Sequence, residues 1–488
     1  MKTTLIKNGT LISAADTFKA DILIEGEQIR LIGENLSAPP EALVVDAKGK
    51  FLLPGGVDPH CHFDLPMFGT VSSDDHYTGH KAAAFGGTTT VMDFVPLPPP
   101  SSPPIFLENG GGQGGGLLAG VEEWREKSAK AAIDYSFHMN LTRFDEAIAA
   151  EIPSLVEMGI TTLKVFTAYN GRLRIDDGAI YKALRIAREH GMLVMIHAEN
   201  GDVIETLIEE ALRAGHTSPE WHAHTRPAWS AVEASLRAAA LAEMADSPIY
   251  IVHMNAGGEA DMLQYARERG VKVMGETCPQ YLFFTVEHLK RPDGAKWICS
   301  PPMRSEADNA RLWTALADGT IQTVGTDHCP FFFDGSQPIV YEGQNIAIPG
   351  KELGAGDFTK IPNGLPGVQD RLPILWTSGV NSGKITPNQF VALTSTNAAK
   401  IFGLYPRKGA LVPGADADIV VWDPAKKVTY GVAHSQQRTD YNLYEGWELT
   451  GYPEKVFLRG KLIVENEHWH GKAGDGQFLK RAPGAPVI

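Results

Sequence analysis

Eight short apolar runs, most of them followed by a helical stretch, occupy the middle of this 488-residue chain: 51–57, 88–94, 135–140, 161–167, 193–197, 249–253, 271–275 and 321–325. Each run is strand length, and intervening segments such as 179–190, 229–245 and 309–317 carry the helical period. Eight strands alternating with helices over this length match a (β/α)8 TIM barrel, a fold that concentrates chemistry at the carboxyl ends of its strands. A doubly wound open sheet offers the same alternation, so the polar residues at the run ends must discriminate.

The two chain ends read differently. Segments within 4–32 and again within 418–464 are short, strand-length and punctuated by turns, with Arg459-Gly460 as a tight one. The expected architecture is α/β: a TIM-barrel catalytic domain over 56–407, with a smaller β-sandwich domain built from both termini, 1–55 and 408–488. Two stretches break the alternation. Residues 96–120 hold a proline cluster and the glycine-rich run 110–116, expected as an exposed flexible insertion; no strand leads directly into the run and no Lys-Ser/Thr completes a phosphate loop. Residues 331–372 form a long Gly-rich loop, expected to wall or cover a site. The tail, 471–488, has little core material and is expected to pack on a neighbour or stay loose.

Charge and cysteine content narrow the function classes. Fifty-eight acidic against 44 basic residues leave a net charge of −14, a poor fit to nucleic acid or an anionic membrane and a better one to small neutral or metal-held ligands. Four cysteines are too few for a disulfide framework at this length and suit a reducing compartment, which predicts a cytoplasmic protein. The amino terminus lacks a signal-like apolar run, and no segment approaches the ~18 apolar residues a membrane span needs.

The run ends carry the chemistry. After the first run, His60 and His62 are two residues apart; in extended backbone they share one face and can hold one cation, while Cys61 points away as a small packed thiol. Lys164 lies inside the fourth run, where an isolated ammonium is costly. A paired carboxylate relieves that cost, and so does reaction of the neutral amine with carbon dioxide to a metal-bridging carbamate. His197 closes the fifth run, His253 the sixth, and Asp327 follows the eighth. On a barrel all six converge on one mouth. Four imidazoles, an aspartate and a lysine-derived carboxylate make a ligand set for two divalent ions, zinc foremost.

With these residues in that order the chain resembles the amidohydrolase superfamily, and its surrounding words resemble the cyclic amidase branch, the dihydropyrimidinases and hydantoinases: Gly56-Val57-Asp58-Pro59-His60-Cys61-His62, Leu163-Lys164-Val165-Phe166-Thr167-Ala168-Tyr169, Cys299-Ser300-Pro301-Pro302-Met303-Arg304, Gly325-Thr326-Asp327-His328-Cys329-Pro330 and Pro362-Asn363-Gly364-Leu365-Pro366-Gly367. The resemblance implies that His60, His62 and Asp327 hold the buried metal, His197 and His253 the more exposed one, and N6-carboxylated Lys164 bridges them. It implies that Tyr169 stabilises an oxyanion and that backbone groups of Ser300 and Asn363 read the ring amides. The implied reaction is hydrolytic opening of 5,6-dihydropyrimidines or 5-substituted hydantoins to N-carbamoyl amino acids by a metal-bridging hydroxide, with Asp327 as proton shuttle. The implied assembly is a homotetramer. Allantoinase and dihydroorotase share most of the ligands; the stretch after His62, Phe63-Asp64-Leu65-Pro66-Met67-Phe68, is mainly apolar and lacks a cation for an acidic substrate. A noncatalytic assembly protein on the same scaffold is the alternative of another class; such relatives replace metal ligands, and here all are present.

Overall fold

A computed structural model describes residues 3–67, 69–99, 115–341 and 343–484. At its centre, eight parallel strands run in the order of the chain: Gly56–Cys61, Thr88–Val95, Asp134–Asn140, Thr162–Phe166, Leu193–His197, Ile249–Ile251, Val273–Thr277 and Thr323–Val324. Buried on both faces, these strands need apolar residues on both, which is why they read as runs rather than alternations. The two faces nevertheless sort by parity. Met92, Phe94, Leu193, Met195, Tyr250, Val252 and Met274 share the barrel interior, whereas Val91, Val95, Val194, Ile196, Ile249, Ile251 and Val273 belong to the larger core shared with the surrounding helices. The first and eighth strands meet through side-chain and bridge contacts: Thr326 donates to Asp58 from its backbone N–H (3.1 Å) and its hydroxyl (2.7 Å), and Cys61 bridges to His328.

The first apolar run divides between two sheets. Phe51–Pro54 pairs with Ile419–Thr429 in the sheet of the chain ends, Gly55 turns the chain, and Gly56–Cys61 enters the barrel. Gly55 has no room for a side chain, since a Cβ there would lie 2.0 Å from the Thr89 hydroxyl oxygen. The sheet of the chain ends has nine strands in one continuous hydrogen-bonded array, and residues from both termini, including Leu11, Ile22, Ile419, Val421 and Phe457, form its core.

The described part of the tail, 471–484, packs on its own barrel. Its backbone crosses the amino end of the barrel, with Leu479 N–H donating to Tyr135 O, Arg481 N–H to Gly159 O and Gly484 N–H to Gly191 O. Leu479 joins Phe402 and Leu404 in sealing the barrel interior from below. Most of the glycine run at 110–116 lies outside the described residues. Beyond it, helix Leu117–Ser128 starts with a fully buried Leu117, so the end of the expected insertion is core. The long loop 331–372 carries the short strands Ile339–Tyr341 and Gln344–Ile346 and two turns of 3-10 helix, and its far end reaches the barrel mouth at Asn363 and Gly364.

Candidate metal and active site

At the carboxyl end of the barrel, His60, His62, Lys164, Tyr169, His197, His253, Ser300, Asp327 and Asn363 all line one cavity of about 280 Å³. The sequence spread them over three hundred residues; the parallel strands collect His60, His62, Tyr169, His197, His253 and Asp327 at or just past their carboxyl ends, Lys164 points in from the middle of the fourth strand, and Ser300 and Asn363 come in on the loops after the seventh and eighth strands. Three sit in left-handed backbone, Tyr169 at φ 67°, His253 at φ 39° and Asp327 at φ 53°. Such conformations are costly for side chains of this size and persist where the surrounding structure enforces them, characteristically at functional sites.

His60 and His62 each direct Nε2 to Asp327 Oδ1 at 3.1 Å, and the donor atoms of the three residues lie within 4.8 Å of one another. Their rings are 5.2 Å apart, while Cys61 turns into the core. The other nitrogen of His60, Nδ1, meets Glu276 Oε1 at 2.6 Å, which fixes the ring so that Nε2 faces the cavity. Glu276 is itself held by the Tyr250 hydroxyl (2.9 Å) and the backbone N–H of His253 (3.1 Å). Sequence reasoning missed this carboxylate because the seventh run was ended at Gly275, whereas the strand continues through Glu276 to Thr277.

His197 and His253 form the second pair, Nδ1 to Nε2 at 2.9 Å. Glu199, also missed, accepts from His197 Nε2 at 2.9 Å and so turns Nδ1 inward. It is two residues beyond the histidine, on the first turn outside the strand. Lys164 is buried, its ammonium position 4.9 Å from the Phe94 ring centre and 5.4 Å from that of Phe166, and it has no carboxylate within ion-pair distance among the described residues. The paired-lysine solution to its burial is therefore unmet in this structure.

The electrostatics are those of crowded, desolvated side chains. Burial lowers the Lys164 amine to about 8, against the partial opposition of Asp327 and Glu276. Burial lowers His62 to about 4. His60 goes the other way: burial alone would depress it, but the carboxylates of Glu276 and Asp327 prevail and raise it to about 9. Burial pushes the Tyr169 phenol well up, so at neutral pH it is a proton-bearing hydrogen-bond donor. Asn363 Nδ2 donates to Ser300 Oγ at 3.0 Å, joining two loops that both line the cavity.

A donor set of this kind tests well as a cation site. Among the described residues, His62 Nδ1 and His253 Nδ1 are buried without a hydrogen-bond partner, two imidazole nitrogens face each other across 2.9 Å, and orienting carboxylates stand behind His60 and His197.

The amidohydrolase family model matches residues 51–463. The chain belongs to the amidohydrolase family. A D-hydantoinase of Geobacillus stearothermophilus is 44% identical to it over 484 residues, covering 98% of this chain and 97% of the relative, and a D-hydantoinase of Streptomyces coelicolor is 40% identical over 486 residues, covering 98% of each. The crystal structure of a dihydropyrimidinase from Brevibacillus agri superposes with a TM-score of 0.91 at 44% identity, covering 99% of this chain and 100% of that one. Among the described residues of this amidohydrolase, no helix is long and apolar enough to cross a membrane.

Proposed function

We propose that this amidohydrolase opens cyclic amides, 5,6-dihydropyrimidines and 5-substituted hydantoins, to N-carbamoyl amino acids. The observation that carries the reading is the meeting of His60, His62, Lys164, His197, His253 and Asp327 in one cavity that Tyr169 and Asn363 also line. His60, His62 and Asp327 would hold one divalent ion, His197 and His253 a second, and Lys164, carboxylated on Nζ, would bridge the two. Zinc is the metal that a histidine and carboxylate set favours. Two such ions supply the positive charge that acidifies water and polarises an amide carbonyl.

The chain's own residues do the rest. Asp327 Oδ1, within 3.1 Å of both His60 and His62, takes the proton of the attacking water and returns it to the departing ring nitrogen. Tyr169, held protonated by its burial, donates to the developing oxyanion. Ser300 and Asn363 present backbone groups to the ring amides. Leu65, Pro66, Met67 and Phe166 give the wall apolar contact for an exocyclic substituent. The catalytic unit is 56–407, the strands of 1–55 and 408–488 form the second domain, and the enzyme works as a cytoplasmic homotetramer.

Metal analysis of the purified protein together with ring opening of dihydrouracil and hydantoin tests the reading. About two metals per chain and turnover that is abolished by chelation and restored by zinc are expected. A protein that stays below half a metal per chain after zinc supplementation and opens neither ring is an assembly protein, not an enzyme.

A further inference from the structure

Arg172 stands at the mouth of the cavity on the turn that follows Tyr169, its side chain exposed. The turn is set by backbone: Arg172 N–H donates to Tyr169 O at 3.1 Å, and Gly171 takes φ 70°. The side chain borders the site and the two clefts that flank it, one beside Glu199 and Asn363, the other between Pro96 and Arg143. The neighbouring guanidiniums are all engaged. Arg174 donates to Asn170 Oδ1 (3.0 Å) and pairs with Asp202, Arg143 donates to Pro98 O (2.9 Å), and Arg226 meets His222 Nδ1 at 3.1 Å. The rim carboxylates are engaged as well, since Asn170 Nδ2 donates to Asp202 (2.8 Å) and Glu205 (2.9 Å). The Arg172 side chain has neither a hydrogen bond nor an ion pair among the described residues.

A free guanidinium at the lip of an otherwise apolar wall calls for a ligand with a methylene stem and an anionic end. Leu65, Phe166 and Leu173 offer the stem its contacts. The loop after His62 lacks a cation, so the charge for an acidic arm comes from a different loop than the one the sequence draws attention to. We propose that Arg172 selects cyclic amides whose exocyclic arm ends in a carboxylate over neutral analogues of the same shape. The inference rests on the ring-opening reading above.

The test compares 5-(2-carboxyethyl)hydantoin with its amide, 5-(2-carbamoylethyl)hydantoin, by kcat/KM on the zinc-loaded full-length enzyme. The wild type favours the carboxylate. Arg172→Gln lowers the carboxylate-to-amide ratio by about three- to fivefold, the scale of an exposed ion pair. Arg172→Glu inverts the preference, Arg172→Lys keeps most of it, and 0.5 M salt compresses the wild-type ratio. Binding of N-carbamoylglutamate against N-carbamoylglutamine, measured by calorimetry, shifts in the same sense. A ratio that Gln and Glu leave unchanged overturns the proposal, as does a loss confined to the preference for 5-phenyl over 5-cyclohexyl hydantoin, which would make Arg172 an aromatic contact instead. Absence of turnover on unsubstituted hydantoin as well as both test compounds overturns the ring-opening reading and this one with it.

Discussion

The two ends of the barrel treat buried charge in opposite ways. At the amino end, Lys408 Nζ lies 2.6 Å from Asp134, 2.7 Å from Asp418 and 3.0 Å from Asp416, and Arg459 pairs with Asp134 from the other side. Asp418 also accepts from the Arg459 backbone N–H and the Thr89 hydroxyl, so this network ties the chain-end sheet to the barrel floor. At the carboxyl end, among the described residues, Lys164 lacks a carboxylate partner and two imidazole nitrogens are orphaned, and three residues are held at positive φ. Buried polar groups that satisfy one another stabilise a fold; groups that converge and leave one another unsatisfied are kept for a ligand. The same backbone therefore has one end that serves structure and one that serves chemistry.

Substitutions should separate the two ends cleanly. At the upper end, Lys164→Ala removes the group proposed to bridge the two ions, and kcat/KM for hydantoin is expected to drop by ~10³-fold or more, with metal content falling in parallel, because the proposed reaction draws its positive charge from the metals this residue would help to hold. The fold should persist, since the substitution also removes a desolvated amine. Wild-type activity and metal content in this variant, without added short carboxylic acids, would dispose of the bridge. At the lower end the reverse is expected. Lys408→Met leaves Asp134 and Asp418 short of a buried cation, at a cost of about 3–5 kcal/mol in urea unfolding, while activity per folded molecule survives. A catalytic defect larger than the stability defect would mean that the two ends are coupled.

Smaller effects sharpen the contrast. Tyr169→Phe keeps ring and burial but removes one donor, so kcat should fall by ~10²-fold with little change in Tm. Glu276→Gln leaves His60 without its carboxylate, and metal affinity measured by chelator competition should weaken by about 10- to 100-fold. The smallest effect is one of pH. Asp93, on the second barrel strand, accepts from Trp124 Nε1 at 2.9 Å, and burial raises its carboxyl to about 8 from an ordinary 3.8. The folded state thus keeps a proton that the unfolded chain releases, and the stability this brings at low pH is lost as pH rises toward 8. Between pH 7 and 8.5 the wild type should lose about 1 kcal/mol that Asp93→Asn does not, as urea midpoints at the two pH values would show.

Much of the fold was legible because a barrel strand, buried on both faces, announces itself as an apolar run, and because His60, His197, His253 and Asp327 mark the run ends. Other features were not legible, each for a physical reason. Glu276 and Glu199 act only through the histidines they orient, and nothing local in the sequence marks a carboxylate as facing an imidazole more than two hundred residues away or across a strand end. The tail gave no sign of docking because it docks by backbone hydrogen bonds to Tyr135, Gly159 and Gly191, and backbone groups are the same in every sequence.

The division between sequence and tertiary structure follows from range. Composition, periodicity and the spacing of His60 and His62 are local, and by themselves they determined the barrel, its two-part organisation and the kinds of donor that line its mouth. Orientation is not local. Which nitrogen of His60 or His197 faces the cavity, whether Lys164 has a partner, and that Arg172 alone of the rim guanidiniums is free among the described residues were decided only when the strands closed and brought distant side chains within a few ångströms, because hydrogen bonds and ion pairs depend on that distance and direction.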